Sequence, residues 1–468
     1  MKKIFLFLSS VAINLLFPAV VLAENRNIFG LHLTQLSDIY QAKDVVNSSG
    51  GDWGWVTIVL RTDQLNHQAW QEFFDNCRKF HLIPIVRLAT IMDNDVWKRP
   101  VFSDIDNLAN FLDSLNWPTL KQHVVLFNEV NHGQEWGGAV DSKNYTDIAI
   151  YAADKFKQLN TNFLILGAAL DLAAPSQPKN FESAENYYRE IFLYQPLYFS
   201  KLDALASHSY PNHGFNGKPT DTGKTSIRGY LWELDYLKRL GISKNFLVYL
   251  TETGWPHREG RLSQNQYYTL KTAASFLQSA LSIWQGDYRV MAVTPFIYNY
   301  PNPPFDHFSW LKPDGGLYPE YQTIVDLAKY KNSPSQATSF QLTRISLPLL
   351  IFPNIEYAGH LYLKNTGQSI WGETNFCLKP TSLPDLSLSP ICTSPQVIYP
   401  GQIQAFEFKF EVLGSINHKT KISLSWQDVP STEISPIFSS SRLYHPPFTF
   451  FQNLISTLKR LLSHYILN

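Results

Sequence analysis

Eight short apolar runs punctuate the first three hundred or so residues, and longer stretches with helical periodicity separate them. The runs lie at 28–33 (IFGLHL), 55–60 (WVTIVL), 82–88 (LIPIVRL), 123–127 (HVVLF), 163–168 (FLILGA), 202–206 (LDALA), 246–250 (FLVYL) and 290–297 (VMAVTPFI). They are near-continuous in apolar character rather than alternating, the pattern of parallel strands buried on both faces. The intervening segments include NHQAWQEFFDNCRKF, DIDNLANFLDSL and NYTDIAIYAADKFKQL. In the last, Ile148, Ala152, Phe156 and Leu159 recur at helical spacing. Strand and helix repeated eight times predict a closed (β/α)8 TIM barrel over residues 25–332. A doubly wound open sheet is the alternative, but no Gly-rich phosphate loop follows the first run.

The texture changes near Ser335. Alternating segments (AGHLYLKNTG, QAFEFKFEVLG, TKISLSWQD) separated by Pro, Gly, Ser and Asn predict a small antiparallel β-sandwich over 336–430. A Ser/Pro-rich linker is expected at 431–447. The tail, 448–468, gathers Phe451, Leu454, Ile455, Leu458, Leu461, Leu462 and Tyr465 on one helical face. That amphipathic helix would lie on a membrane interface, on its own protein or on a partner. At the N-terminus Lys2 and Lys3 precede an apolar run to Val21, and Ala23 closes it, as in a secretory signal over 1–23. An uncleaved anchor is the alternative reading, and either one makes the body an exported protein, secreted, periplasmic or on the cell surface.

Composition narrows the functional classes. Hydrophobic residues make up 44% and charged residues 17%, enough to build a large core. Lys plus Arg equals Asp plus Glu at 39 each, which argues against a nucleic-acid binder. The 12 Trp, 24 Tyr and 31 Phe suit core packing and stacking on sugar rings alike. Cys77 falls in a predicted helix, as a buried free thiol. Cys377 and Cys392 could pair in an oxidising compartment, and their spacing does not resemble a zinc site. No cofactor or metal is expected.

In a barrel of this kind the chemistry sits at the C-terminal ends of the strands. The fourth run ends LFNEVNHG, which brings Asn128 and Glu129 to the mouth; the seventh ends VYLTETGWP, which brings Glu252 there. A carboxylate closing a buried strand destabilises it unless it finds partners, so each glutamate asks for a reason. Two carboxyl groups facing one another across a sugar are what glycosidic bond cleavage requires.

The Asn-Glu at the end of the fourth strand and the Glu at the end of the seventh resemble clan A of the glycoside hydrolases, over roughly residues 25–330. The resemblance implies that Glu129 is the acid/base, that Asn128 holds the sugar 2-hydroxyl, and that Glu252 is the nucleophile. It implies that His208 and Tyr210, in SHSYPNHG after the sixth run, contact the nucleophile or the acid/base. Arg61 after the second strand resembles the arginine that steadies the nucleophile; Arg87 within the third strand is the alternative. The eighth strand reads TPFIYNYPNPP and lacks the clan's Trp, so Tyr298 or Trp310 is expected to take over stacking, with Trp255 and Trp136 as further candidates. FNEV and TETGWP resemble family 17 β-1,3-glucanases, although the Gly-x-x-Tyr-Gly start is missing and His257 follows the Pro; families 5 and 39 fit the layout equally. In the β-rich region LKNTGQSIW, VIYPGQIQAFEFKFEV and SLSWQD resemble the Ig-like domain of the neighbour-of-BRCA type, with its Asn-x-Gly turn, Trp371 and final Trp426. That likeness implies a spacer or protein-contact role.

The resulting expectation is a retaining glycoside hydrolase acting on a β-linked oligo- or polysaccharide. Two rivals share the barrel: a non-catalytic glycan-binding or cell-surface interaction protein, and a transglycosylase using the same site. The separation of the two carboxyl groups discriminates the first, since well beyond about 6 Å would favour binding alone or inversion.

Overall fold

The computed structural model describes residues 26–261, 264–348, 354–372, 377–379, 386–392, 396–413, 422–426 and 429–434. The expected signal over 1–23, most of the linker and the helical tail lie outside the described residues. The chain divides into two units, one of Met1–Leu115 with Gln122–Ser333 and one of Asn116–Lys121 with Pro334–Asn468.

The first unit is a (β/α)8 barrel. Its strands are β1 (Gly30–His32), β2 (Gly54–Arg61), β3 (Leu82–Ala89), β4 (Gln122–Val125), β5 (Phe163–Gly167), β6 (Ala204–His208), β7 (Val248–Glu252) and β8 (Val290–Val293). They pair in parallel, in chain order. The ring closes through a parallel bridge between Phe29 and Val293 and through Tyr298 N–H donating to the His32 carbonyl at 2.9 Å. The register of β2 on β3 sets Gly54 beside Leu82 and Val59 beside Arg87. Residues 248–252 are buried at every position, which is why the run reads as near-continuously apolar until it reaches Glu252.

The floor of the barrel is filled by Trp53, Trp55, Ile83, Ile85, Val125, Leu166, Ala204, Ala206, Tyr249 and Ala292. Trp55 meets His123 and Tyr249 edge-on, with ring centroids 5.1 and 5.6 Å away. Gly30 makes room for this layer: a Cβ there would sit 2.4 Å from the Trp55 carbonyl oxygen and 2.8 Å from a Thr294 methyl. Outside the strands, helix Ser142–Leu159 buries Tyr145, Ile148, Ala149, Ala152, Ala153 and Phe156 on one stripe. Its first turn is capped by Asp141, whose carboxylate accepts from Asn144 N–H at 3.0 Å. Helices His67–Lys79 and Phe102–Asp113 form where the periodicity places them. No helix among the described residues is long and apolar enough to cross a membrane.

The second unit is all-β. Four antiparallel strands run in the order Phe340–Ser346, Glu356–Asn365, Ile403–Val412, Leu386–Leu388. Alternate positions of Glu356–Asn365 are buried over a core of Leu361, Leu363, Trp371, Ile398, Phe406, Phe408 and Phe410. The Asn-x-Gly turn is built around buried Asn365, which accepts from Gly367 N–H at 3.0 Å and donates to the Ser369 and Ile398 carbonyls at 2.9 and 3.1 Å. Cys377 and Cys392 face one another in a short strand pair and form a disulfide, while Cys77 is buried and free. Strand Val429–Ile434 pairs with Ile422–Trp426 and so occupies 431–434, where a linker was expected to begin.

Candidate active site

The barrel mouth opens into a cleft of about 520 Å3 lined by residues from almost every strand end, Arg87, Asn128, Glu129, Tyr210 and Glu252 among them. Glu252 is the last residue of β7 and is 7% exposed. Its Oε1 accepts from the Arg87 guanidinium, and its Oε2 accepts from the Tyr210 hydroxyl at 3.1 Å. Burial pushes this carboxyl up, but the charges of His208 and Arg87 outweigh burial and hold it well below the usual carboxylate range. Glu252 is therefore ionised and oriented from both sides.

His32, at the end of β1, stands 3.6 Å from Glu252 Oε1. Burial drives its pKa down to about 3, against the pull of Glu252, so this is a contact with a neutral imidazole rather than an ion pair. Arg87 does double duty: the nitrogen that meets Glu252 also donates to Asn128 Oδ1 at 2.6 Å. With its oxygen so engaged, the Asn128 amide gives one N–H to the Glu135 carboxyl, and the second N–H is left to donate to a hydroxyl in the cleft.

Glu129 lies on the loop leaving β4, in a turn where Phe127 and Glu129 both take positive φ (74° and 27°). Backbone of this kind at a non-glycine residue costs about 1–3 kcal/mol and persists where the surroundings impose it. Glu129 Oε1 accepts from His208 Nδ1 at 2.8 Å. Burial lowers the His208 pKa, yet the negative charges of Glu252 and Glu129 prevail and raise it overall. Among the described residues the second oxygen of Glu129 makes no such short contact; His132 Nδ1 stands 3.9 Å from it. Glu135, half-buried in the same loop, is a third carboxyl in the cleft, raised to about 7 by burial and by the negative charge of Glu129.

Glu129, His208 and Glu252 each bring a donor atom within 4.8 Å of the other two. Among the described residues this is the one carboxylate and imidazole set compact enough to converge on a metal ion. Arg87 already supplies a permanent positive charge at that point.

Five expected residues thus meet: Asn128, Glu129, His208, Tyr210 and Glu252. Five expectations need correction. Arg61 pairs with Asp63 at the protein surface, and Arg87 is the arginine that meets Glu252. Register explains it, because Arg87 is level with Val59, and Arg61, level with Ala89, stands two residues or roughly 6.6 Å farther along the strand. Trp255 is 3% exposed, donates its indole N–H to the Gly217 carbonyl at 2.8 Å and packs on Phe276. Trp310 is 1% exposed and stacks on Tyr321 with centroids 4.3 Å apart. Tyr298 is buried in the closure of β8 on β1. None of these three rings lines the cleft. Trp136 is fully buried against Phe127 and Tyr145. Unforeseen members of the site are His32, His132, Glu135, Asp171 and Trp97. His32 interrupts an apolar run just as Glu252 does, and that signal was available to find it.

No protein-family model matches the sequence, and no curated protein does either. Solved structures do resemble the chain. A GH128 (subgroup II) endo-β-1,3-glucanase from Sorangium cellulosum is 15% identical, with 64% of this chain and 97% of that one covered and a TM-score of 0.42. GH5_18 from Streptomyces cattleya, in complex with GlcNAc, is 16% identical, covering 64% and 79% at a TM-score of 0.45. A glucosidase from Croceicoccus marinus is 9% identical, covering 83% and 97% at 0.45.

Proposed function

We propose that this chain is a retaining glycoside hydrolase that cleaves a β-linked glycan by double displacement. The observation that carries the reading is that an oxygen of Glu129 and an oxygen of Glu252 lie within 4.8 Å of each other in one cleft. Retaining enzymes hold their carboxyl groups about 5–5.5 Å apart, whereas inverting enzymes need about 6.5–9.5 Å to admit a water.

Each residue has a role its contacts suit. Glu252, ionised and aimed by Arg87 and Tyr210, attacks the anomeric carbon and forms a covalent bond to it. The bond from that carbon to the glycosidic oxygen breaks as Glu129 passes its proton to the departing oxygen. The proton travels from Oε2, since Oε1 is taken up by His208. Water then gives a proton to Glu129 and its oxygen to the anomeric carbon, which releases Glu252. The Asn128 amide strengthens its hydrogen bond to the neighbouring sugar hydroxyl as positive charge develops on the ring. This scheme needs no cofactor.

The chain is further read as exported, on the basic and apolar N-terminus, and its second unit as an Ig-like spacer of the neighbour-of-BRCA type, on the Asn365 turn and buried Trp371.

The test is chemical rescue. Glu252→Ala should lose turnover of an activated aryl β-glycoside, and azide should restore it with an α-glycosyl azide as product. Undiminished hydrolysis by the variant without azide would overturn the assignment, and so would a β-configured azide.

A further inference from the structure

Between β3 and the helix that follows it, the chain folds a two-stranded hairpin in which Met92–Asp93 pairs with Val96–Trp97. Its tip is Asn94-Asp95, both residues in the left-handed region (φ 49° and 62°). Two-residue turns of this kind match the twist of the flanking strands, and Asn and Asp tolerate the conformation. So small a hairpin has no core and is marginal alone. Here it is fastened at several points. Lys98 N–H donates to the Ile91 carbonyl and Gly137 N–H to the Trp97 carbonyl, both at 2.9 Å, and Gln134 Nε2 donates to the Asp95 carbonyl at 2.6 Å. Next to it the Arg99 guanidinium reaches the Ala139 carbonyl and the Asp141 carboxylate, each at 3.1 Å. These bonds tie the loop after β3 to the loop after β4, the one that carries Glu129. The position of Trp97 relative to the acid/base is thereby fixed.

What the hairpin presents is apolar and incompletely covered. Met92 is 44% exposed although it is a large hydrophobic residue. Its cross-strand partner Trp97 is half-buried, and both line the cleft that holds Glu129 and Glu252. Trp70, Trp136, Trp255 and Trp310 all pack against other rings. Among the described residues no ring packs against the Trp97 indole. The opposite wall differs, because Phe296 meets Phe305 and Phe308 edge-to-face at 5.5 and 5.6 Å and so has aromatic neighbours already. Beside Trp97 in the cleft stand Gln134 and Glu135, an amide and a carboxyl. A flat apolar surface edged by such groups is the complement of a pyranose ring, which is apolar on its face and carries hydroxyls around its rim.

We propose that Trp97, with Met92 beside it, is the platform of a further sugar subsite, one that binds a unit of the glycan chain outside the sugar held between Glu129 and Glu252. Resting on the glycosidase reading, it makes the substrate an oligosaccharide or polysaccharide chain laid along the cleft rather than a single terminal sugar. Gln134 and Glu135 serve the ring hydroxyls, and the fastened hairpin supplies a surface that does not have to be ordered on binding.

Steady-state kinetics of Trp97→Ala and Trp97→Phe against wild type test this, with an aryl β-glycoside of one sugar and the matching pentasaccharide as paired substrates. Cello-, laminari- and manno-pentaose give the panel from which the cleaved one is taken. The ratio of kcat/KM on pentasaccharide to kcat/KM on aryl glycoside should fall on the order of tenfold in Trp97→Ala, and less in Trp97→Phe, which keeps a ring. An unchanged ratio in Trp97→Ala overturns the subsite, whether or not both rates fall together. Calorimetric binding of the three pentasaccharides to wild type and Trp97→Ala separates this outcome from failure of the enzymatic reading. If wild type hydrolyses nothing but binds a pentasaccharide, weaker binding by the variant sustains the subsite and equal binding removes it. Absence of both hydrolysis and binding across the panel overturns the subsite together with the reading beneath it.

Discussion

His132 Nε2 lies 2.9 Å from Asp171 Oδ2, and that contact turns the other ring nitrogen toward Glu129. Asp171 is itself held firmly. Its Oδ1 accepts from Ala173 N–H at 2.8 Å, and buried Asn131 bonds both its N–H and its carbonyl, at 3.0 and 2.9 Å. Burial lowers the His132 pKa, but Asp171 and Glu129 outweigh this and raise it. Glu129 therefore sits between two imidazoles, His208 on one oxygen and His132 near the other. In the proposed mechanism His132 is the group placed to steady the charge once Glu129 has given up its proton. Asp171→Asn and His132→Gln should each slow the hydrolysis of glycosides with poor leaving groups by about tenfold to a hundredfold. A dinitrophenyl glycoside, whose leaving group needs little help from an acid, should lose far less. A rate loss of equal size along the whole leaving-group series would sink this role and point to a general structural defect.

Arg87, not Arg61, should control Glu252, the proposed nucleophile. Glu252 is held below the usual carboxylate range, so it stays ionised until the pH falls well into the acid region. Activity that depends on the ionised form has its acid limb there. Arg87→Met removes a positive charge in direct contact with Oε1, which lets the carboxyl rise and moves the acid limb of kcat/KM to higher pH. Turnover at neutral pH should also drop, by about a hundredfold or more. Arg61→Met breaks only a surface pair with Asp63 and should stay within about twofold of wild type. The check is a pH–rate profile for each variant, and a shifted acid limb in Arg61→Met with none in Arg87→Met would reverse the assignment.

The contrast between these arginines shows how far letters alone reach. The strands were legible because burial on both faces demands apolar residues at every position, and eight such runs in alternation with helices leave few architectures. Glu129 and Glu252 were legible because a charge that ends a buried run needs a reason. Strand register is different: whether Arg61 or Arg87 reaches Glu252 depends on Val59 lying beside Arg87, and no local pattern encodes that offset. The run at 202–206 became a strand ending at His208, since inward polar residues continue the strand where hydrophobicity stops. Loop partners were the least accessible. Asp171 and His132 are 39 residues apart and meet only because the loops after β4 and β5 are neighbours. Trp255 and Trp310 sit close in sequence to residues that line the cleft, yet their rings turn into the packing.

That inward turn has a measurable consequence for Trp310. It is almost fully buried, lies parallel to Tyr321 at an interplanar angle of 3° and is 6.3 Å from Phe29. Trp310→Ala should lower the unfolding free energy by about 3–5 kcal/mol, the usual cost of deleting a large core ring. KM on any substrate should change little in the fraction that remains folded. Denaturant unfolding paired with steady-state kinetics decides between packing and stacking: wild-type stability with a raised KM would restore Trp310 as a sugar platform.

Behind the site, Glu233 is a carboxyl that the proposed mechanism does not use. It is 1% exposed and accepts from the Tyr188 hydroxyl at 2.7 Å and from the Ser207 hydroxyl, one residue before His208. Burial raises its pKa from the ordinary 4.5 to about 7, against the opposing pull of both hydroxyls and of His208. The sign follows from the direction of that shift. Below 4.5 the group is protonated whether the chain is folded or not, and its preference for the folded state is fully present. As pH rises from there through about 7, the unfolded chain sheds the proton more readily and that stability is lost. The loss is on the order of 3 kcal/mol if the whole shift is realised. Glu233→Gln keeps the shape and cannot ionise, so the variant should gain stability relative to wild type between pH 5 and pH 8. Glu135, likewise raised to about 7, contributes the same slope to both proteins and cancels in the difference. Urea unfolding of the two proteins at both pH values measures it, and parallel pH dependences would mean that Glu233 is ionised in the folded protein at pH 5.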